Sequence, residues 1–140
     1  MNLDAFQDFI KKNIVKKQTP NKERALSLIK EAEEKKKFLL LTLQKIPSEE
    51  MNANYVVDSC YDILMELTRA KMFLQGYNSN SSHEVEVSFL RVLGFSETDV
   101  RFMNELRYYR NGIKYYGTIL NKEYAEKVLK FMEKMYTLLK

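Results

Sequence analysis

The chain has 140 residues, 45% of them hydrophobic and 30% charged, a balance that excludes a disordered polyelectrolyte and predicts one domain, spanning 1–140, with a core that needs no staples. Its formal net charge of +4 favours anionic partners but falls short of the dense basic stripe of a dedicated nucleic-acid binder. Four glycines, two prolines and no tryptophan argue against a turn-rich β architecture, and the single cysteine, Cys60, excludes an internal disulfide.

The lone thiol predicts a reducing, cytoplasmic setting. No uncharged apolar run is long enough to cross a membrane, and Asp4 and Asp8 interrupt the start where a signal peptide would be apolar.

Residues 2 to 17 read as a short helix with Leu3, Phe6, Ile10 and Ile14 on one face. Lys11, Lys12, Lys16 and Lys17 gather at its end, where they complement the helix dipole. Such a basic amphipathic helix can lie on membranes, but Asp4 and Asp8 would then face anionic lipid, so packing on the bundle or on a second subunit is expected. Thr19-Pro20 supplies the next start, hydroxyl as N-cap and proline in the first turn. Ala25, Leu28, Ile29, Ala32, Leu39, Leu43 and Ile46 mark a long helix closed by Pro47. Its charge run Glu31 to Lys37 reads as a solvated face with Glu31–Lys35 and Glu33–Lys37 pairing.

Ser48 is the expected cap of a third helix running to about Gln75, with Val56, Cys60, Ile63, Leu67, Ala70 and Leu74 as its core seam. Cys60 in that seam is a small buried hydrophobe with no base or helix terminus to activate it. Asp58, Asp62 and Glu66 lie four apart on another face. They answer an arginine across a helix interface or stay solvated, because a helical ladder lacks the loop geometry of a calcium site. Gln75 to Ser82 is a loop. His83, the only histidine, then begins a short helix ending near Gly94 with Val85, Phe89, Leu90 and Leu93 inward. A chemical role for it requires hydrogen-bond reach of a reacting group.

Ser96-Glu97-Thr98-Asp99 starts a further helix in which Asp99, Met103, Leu106, Arg110, Ile113 and Gly117 share one side. Arg110 thus stands in line with an apolar stripe, where a guanidinium needs a carboxylate, a ligand anion or a route to solvent. Tyr108, Asn111 and Tyr115 form an adjoining stripe. Gly112, costing about 1 kcal/mol relative to alanine in a helix, implies a bend or a close approach. The alternative, solvated arginines beside tyrosines packed in a bundle, is equally compatible with the spacing. Asn121 opens the last helix, with Tyr124, Val128, Phe131, Met132, Met135 and Leu139 inward. No Gly-rich phosphate loop, metal-ligand spacing or nucleophile triad is present in the sequence, so neither cofactor nor metal is expected.

Arg110-Asn111 late in a helix with Tyr115 five positions on, Tyr61-Asp62-Ile63-Leu64 within a long helix, and Gly76-Tyr77 leading to Ser82-His83 together resemble the HEPN domain family over roughly residues 20 to 138. Residues 1–17 would be an accessory helix. The short connections between amphipathic helices predict an antiparallel four-helix up-and-down bundle with additional short helices. The resemblance implies a homodimer with Arg110 at a two-fold cleft, a minimal nucleotidyltransferase as partner in a toxin–antitoxin-type pair, and Asp62 facing Arg110.

Active ribonucleases of the family carry a histidine after the arginine, where this chain has Tyr115. Three functions follow as expectations. The first is a non-catalytic nucleotide- or RNA-binding module using Arg107, Arg110, Asn111, Lys114, Tyr115, Asp62 and His83. The second is a metal-independent ribonuclease with Arg110 and Tyr115 as catalytic candidates. The third is a structural dimer whose arginine is satisfied by Asp62.

Overall fold

In the computed structural model, which describes residues 2–140, the described residues form six α-helices. They are α1 (Phe6–Lys11), α2 (Lys22–Lys45), α3 (Ala53–Leu74), α4 (His83–Val92), α5 (Glu97–Tyr116) and α6 (Lys122–Leu139). A 3-10 turn at Ser48–Glu50 joins α2 to α3, and two short strands, β1 (Lys16–Lys17) and β2 (Tyr77–Asn78), pair antiparallel. The expected all-helical class is observed. No helix is long and apolar enough to cross a membrane among the described residues.

Helix α3 is the element on which the others pack. Val56, Cys60, Ile63, Leu67 and Ala70 are buried as the period predicts, and Val57, Tyr61, Leu64 and Met65 are buried on the remaining sides. A helix apolar nearly all round has to be enclosed, and α2, α4, α5 and α6 all contact it. Leu74 is the exception in the predicted seam. It is 39% exposed because it sits in the last turn, where Gln75 and Gly76 lead the chain away.

Two helix starts fall later than the sequence reading sets them. Asn21, not Thr19, caps α2 by accepting from the Arg24 amide at 3.0 Å, and Asn52, not Ser48, caps α3 by accepting from the Tyr55 amide at 3.0 Å. An asparagine caps as well as a hydroxyl residue. At α2 the choice is fixed because the Asn21 amide also donates to the Phe73 carbonyl at 2.9 Å.

Residues 2 to 17 do not form one helix. Helix α1 ends at Lys11 because Asn13 takes a left-handed φ of 57°, after which the chain extends into β1. The helix buries Phe6 and Phe9 and the extension after it buries Val15, while Ile14 is exposed. The Phe6 ring meets Tyr77 and Phe89 at 5.1 and 5.0 Å, so this segment packs on its own chain. The segment closes over α4, where Arg91 Nη1 donates to the Leu3 and Asp4 carbonyls at 2.9 and 3.0 Å. Gly76 permits the crossing, since a Cβ there would lie 2.5 Å from the Gln18 carbonyl oxygen.

The charge run of α2 does not pair along its own helix. Lys35 bonds Glu66 of α3, while Lys36 and Glu33 reach Glu133 of α6 and Lys140 just after it at 3.6 and 2.6 Å. The run therefore reaches across α2's neighbours rather than only facing water.

Helix α5 gives way to α6 at Gly117, which is left-handed with φ 68°. The following loop is held by Asn54 of α3, whose Nδ2 donates to the Thr118 carbonyl at 2.8 Å and whose Oδ1 accepts from the Leu120 amide at 2.9 Å. Thr118 in turn lies against Gly112, where a Cβ would come 2.5 Å from its Oγ1. That is the close approach the glycine implied. Replacing Asn54 by alanine strands both backbone groups, and we expect a loss of about 1–3 kcal/mol with helix content retained. Equilibrium urea denaturation measures it, and an unchanged midpoint would contradict the role given to Asn54.

Candidate functional site

Ser96 begins α5 by accepting from the Asp99 amide at 3.2 Å, and Asp99, nearly buried, bonds Lys134 Nζ at 2.6 Å. Met103 and Leu106 continue that face into the core. One turn further it reaches Arg110, whose side chain retains only 17% exposure.

The Arg110 guanidinium lies between two carboxylates of α3. Its Nε donates to Asp58 Oδ1 at 3.2 Å, and its Nη2 stands 3.7 Å from Asp62 Oδ1. Asp62 is the partner the resemblance implies, but Asp58, one turn earlier on the same ladder, is the nearer. Below them the guanidinium carbon sits 5.6 Å from the centre of the Tyr61 ring, within cation–π range. Tyr61 is fully buried, and its hydroxyl shares a 2.8 Å hydrogen bond with His83 Nδ1 while the two rings stack at 5.7 Å and 17°. Three separated stretches of sequence thus converge: Tyr61-Asp62 from α3, His83 from the first turn of α4, and Arg110 from α5.

Electrostatics follow from this enclosure. Burial pushes the Asp62 carboxyl above its ordinary value and the neighbouring Asp58 charge adds to it, against the opposing pull of Arg110, Lys35 and Lys114. Burial likewise raises the Tyr61 phenol and lowers the His83 imidazole, the latter helped by the Arg110 and Arg69 charges and opposed by Glu86. At neutral pH the histidine–tyrosine pair is therefore uncharged.

Behind the cluster lies an ion pair that sequence reasoning missed. Glu86, fully buried, accepts from Arg69 Nε and Nη2 at 2.5 and 3.0 Å and from Ser79 Oγ at 2.8 Å. The available signal was position, since Glu86 follows His83 by three residues and so shares its face of α4.

The remaining predicted residues divide. Arg107 is partly buried and donates to Asn104 Oδ1 at 2.9 Å, Asn111 is partly buried, and Lys114 is exposed with its charge acting on Asp62. Tyr115 is 72% exposed and stands outside the Arg110–Tyr61–His83 cluster. Glu66, the third rung of the ladder, is committed to Lys35. Cys60 is buried with its thiol pushed up to about 12 by burial, which keeps it un-ionised. Among the described residues no group of acidic, histidine and cysteine side chains is arranged to hold a metal ion.

Comparison of the chain with family models, with curated proteins and with solved structures finds no match.

The depressed His83 value carries a linkage consequence. A group whose proton affinity is lower folded than unfolded contributes stability above its ordinary value, 6.5, and loses it as pH falls toward the folded value. We expect the urea midpoint to fall between about pH 7.5 and pH 5.5 and to lose most of that slope in His83→Asn. Asp62 and Glu66, both raised by burial, act in the opposite sense in the lower, carboxylate range. An equal slope in both proteins would show that His83 is not desolvated.

Proposed function

We propose that the chain is a HEPN-like helical module that binds a phosphate-bearing ligand, nucleotide or RNA, through Arg110 without catalysing a reaction. The observation that carries the reading is the position of Arg110, drawn in beside Asp58, Asp62 and Tyr61 while still reaching solvent. A guanidinium so placed is oriented before any ligand arrives, which is what bidentate recognition of a phosphate requires. Arg107 and Lys114 extend the positive charge along α5, and exposed Tyr108 and Tyr115 offer rings on which bases stack.

The four long helices form an up-and-down bundle in this reading. Contact partners that rise along one helix as they fall along the next support it: Glu33 with Lys140 and Lys36 with Glu133, then Asp99 with Lys134 and Glu105 with Tyr124. A homodimer brings two copies of Arg110 to one cleft, and exposed Tyr115, Tyr116 and Ile119 at the end of α5 are apolar surface for such a contact. The minimal nucleotidyltransferase partner, in a toxin–antitoxin-type pair, rests on the resemblance, and the cytoplasmic location on the lone buried thiol. The ribonuclease alternative draws no support from Tyr115, which is exposed and outside the enclosed hydrogen-bonded cluster.

A second reading is favoured by the same bracketing carboxylates: Arg110 as a structural cross-link that binds nothing. Fluorescence anisotropy with a short single-stranded RNA at low salt separates the two. Binding predicts a loss of about tenfold or more in Arg110→Gln and a salt slope smaller by about one. It also predicts tighter binding in the Asp58→Asn/Asp62→Asn double variant, a gain that vanishes in the Arg110→Gln background. The structural reading predicts unchanged RNA affinity and a lowered unfolding midpoint in Arg110→Gln.

A further inference from the structure

A second cleft, distinct from the Arg110 cluster, opens where the N-terminal segment crosses the end of α3. It has a volume of about 640 Å³ and no carboxylate lines it. Two guanidiniums do. Arg24, in the first turn of α2, lies 5.1 Å over the Phe73 ring and has no ion-pair partner among the described residues. Arg69 is held by Glu86 through Nε and Nη2 and leaves Nη1 without a hydrogen-bond partner among the described residues, with 24% of the side chain exposed to the cleft.

The rest of the lining is of a different chemistry. Gln18, Asn21, Asn78 and Asn80 contribute amides and Ser81 a hydroxyl, while the buried Ser79 gives its own hydroxyl to Glu86. Phe73 is the single apolar group. A cleft of this size is in the range of small-ligand sites, but most such sites are apolar with a few polar groups, and here the proportion is inverted. An apolar ligand gains little in it. Side-chain amides and hydroxyls both donate and accept, which suits the hydroxyls of a sugar, while the adjacent guanidiniums suit a phosphate.

We propose that this cleft binds the phosphate of a small sugar phosphate, with Arg24 and the free edge of Arg69 on the phosphate and the amides around the sugar. Arg69 is placed for this by Glu86, whose two oxygens fix the guanidinium plane and leave one edge outward. Arg24 supplies the charge that no acid of the cleft offsets. The Phe73 ring beneath it orients the guanidinium.

The test is a heteronuclear NMR titration of the full chain with ribose-5-phosphate, inorganic phosphate and ribose as separate arms. The expected result is saturable shifts at the amides of residues 78–81 and 21–24 with ribose-5-phosphate, weaker ones with inorganic phosphate, and none with ribose at the same concentration. Arg24→Gln, an exposed substitution without an acidic partner to strand, weakens binding by about tenfold or more, the loss of one charge-assisted contact. Arg110→Gln leaves it unchanged, so this site and the Arg110 site succeed or fail separately. Absence of saturation at millimolar ligand, shifts confined to the surroundings of Arg110, or equal affinity in Arg24→Gln would each overturn the proposal.

Discussion

Desolvation of the Arg110 guanidinium is the constraint around which the middle of this structure is arranged. A guanidinium cannot shed its charge when it leaves water, so every group near it has to answer that charge. Asp58 and Asp62 do so from one face of α3, and the Tyr61 ring does so from below. These three residues occupy little more than one turn of α3, which fixes how α5 lies against it. Tyr61 passes the constraint on through its hydroxyl to His83 and so to the start of α4. Three helices are positioned by a single charge.

That arrangement is possible because α3 is enclosed on most of its circumference and carries its acidic residues on one strip. Asp58, Asp62 and Glu66 recur every four residues there and face cations from two neighbouring elements: Arg110 from α5 for the first two, Lys35 from α2 for the third. The strip works as a seam between α2 and α5, and its carboxylates are spent on helix placement. This is why the ladder shows no metal-binding geometry despite its charge.

Periodic features were legible from the sequence and local competitions were not. The seam of α3 and the inward stripe of α5 from Asp99 to Leu106 follow from spacing at three, four and seven, whereas for Arg110 the same spacing is equally compatible with a solvated side chain and only the facing acids of α3 decide. Cap choice was misread at Thr19 and Ser48 because an asparagine two or four residues on serves as well, and tertiary contacts such as Asn21 to the Phe73 carbonyl decide between them. The charges of α2 were read as pairing within the helix, since a sequence shows i and i+4 but not the cation of a neighbouring helix. Asp58 was passed over for the same reason: choosing between rungs of one ladder needs the axial offset of two helices. The N-terminal segment failed as a helix at Asn13, where a left-handed residue turns the chain so that β1 can pair with β2.

Glu86 joins the two polar regions into one electrostatic unit. It is fully buried, so its charge has to be met locally, and Arg69 and Ser79 meet it with three hydrogen bonds. Its charge nonetheless acts on Tyr61 and His83, raising the proton affinity of each. Arg110 and Arg69 act on His83 in the opposite direction. The imidazole is therefore set by a balance between two carboxylates, Glu86 and Asp62, and two guanidiniums, with desolvation the largest influence.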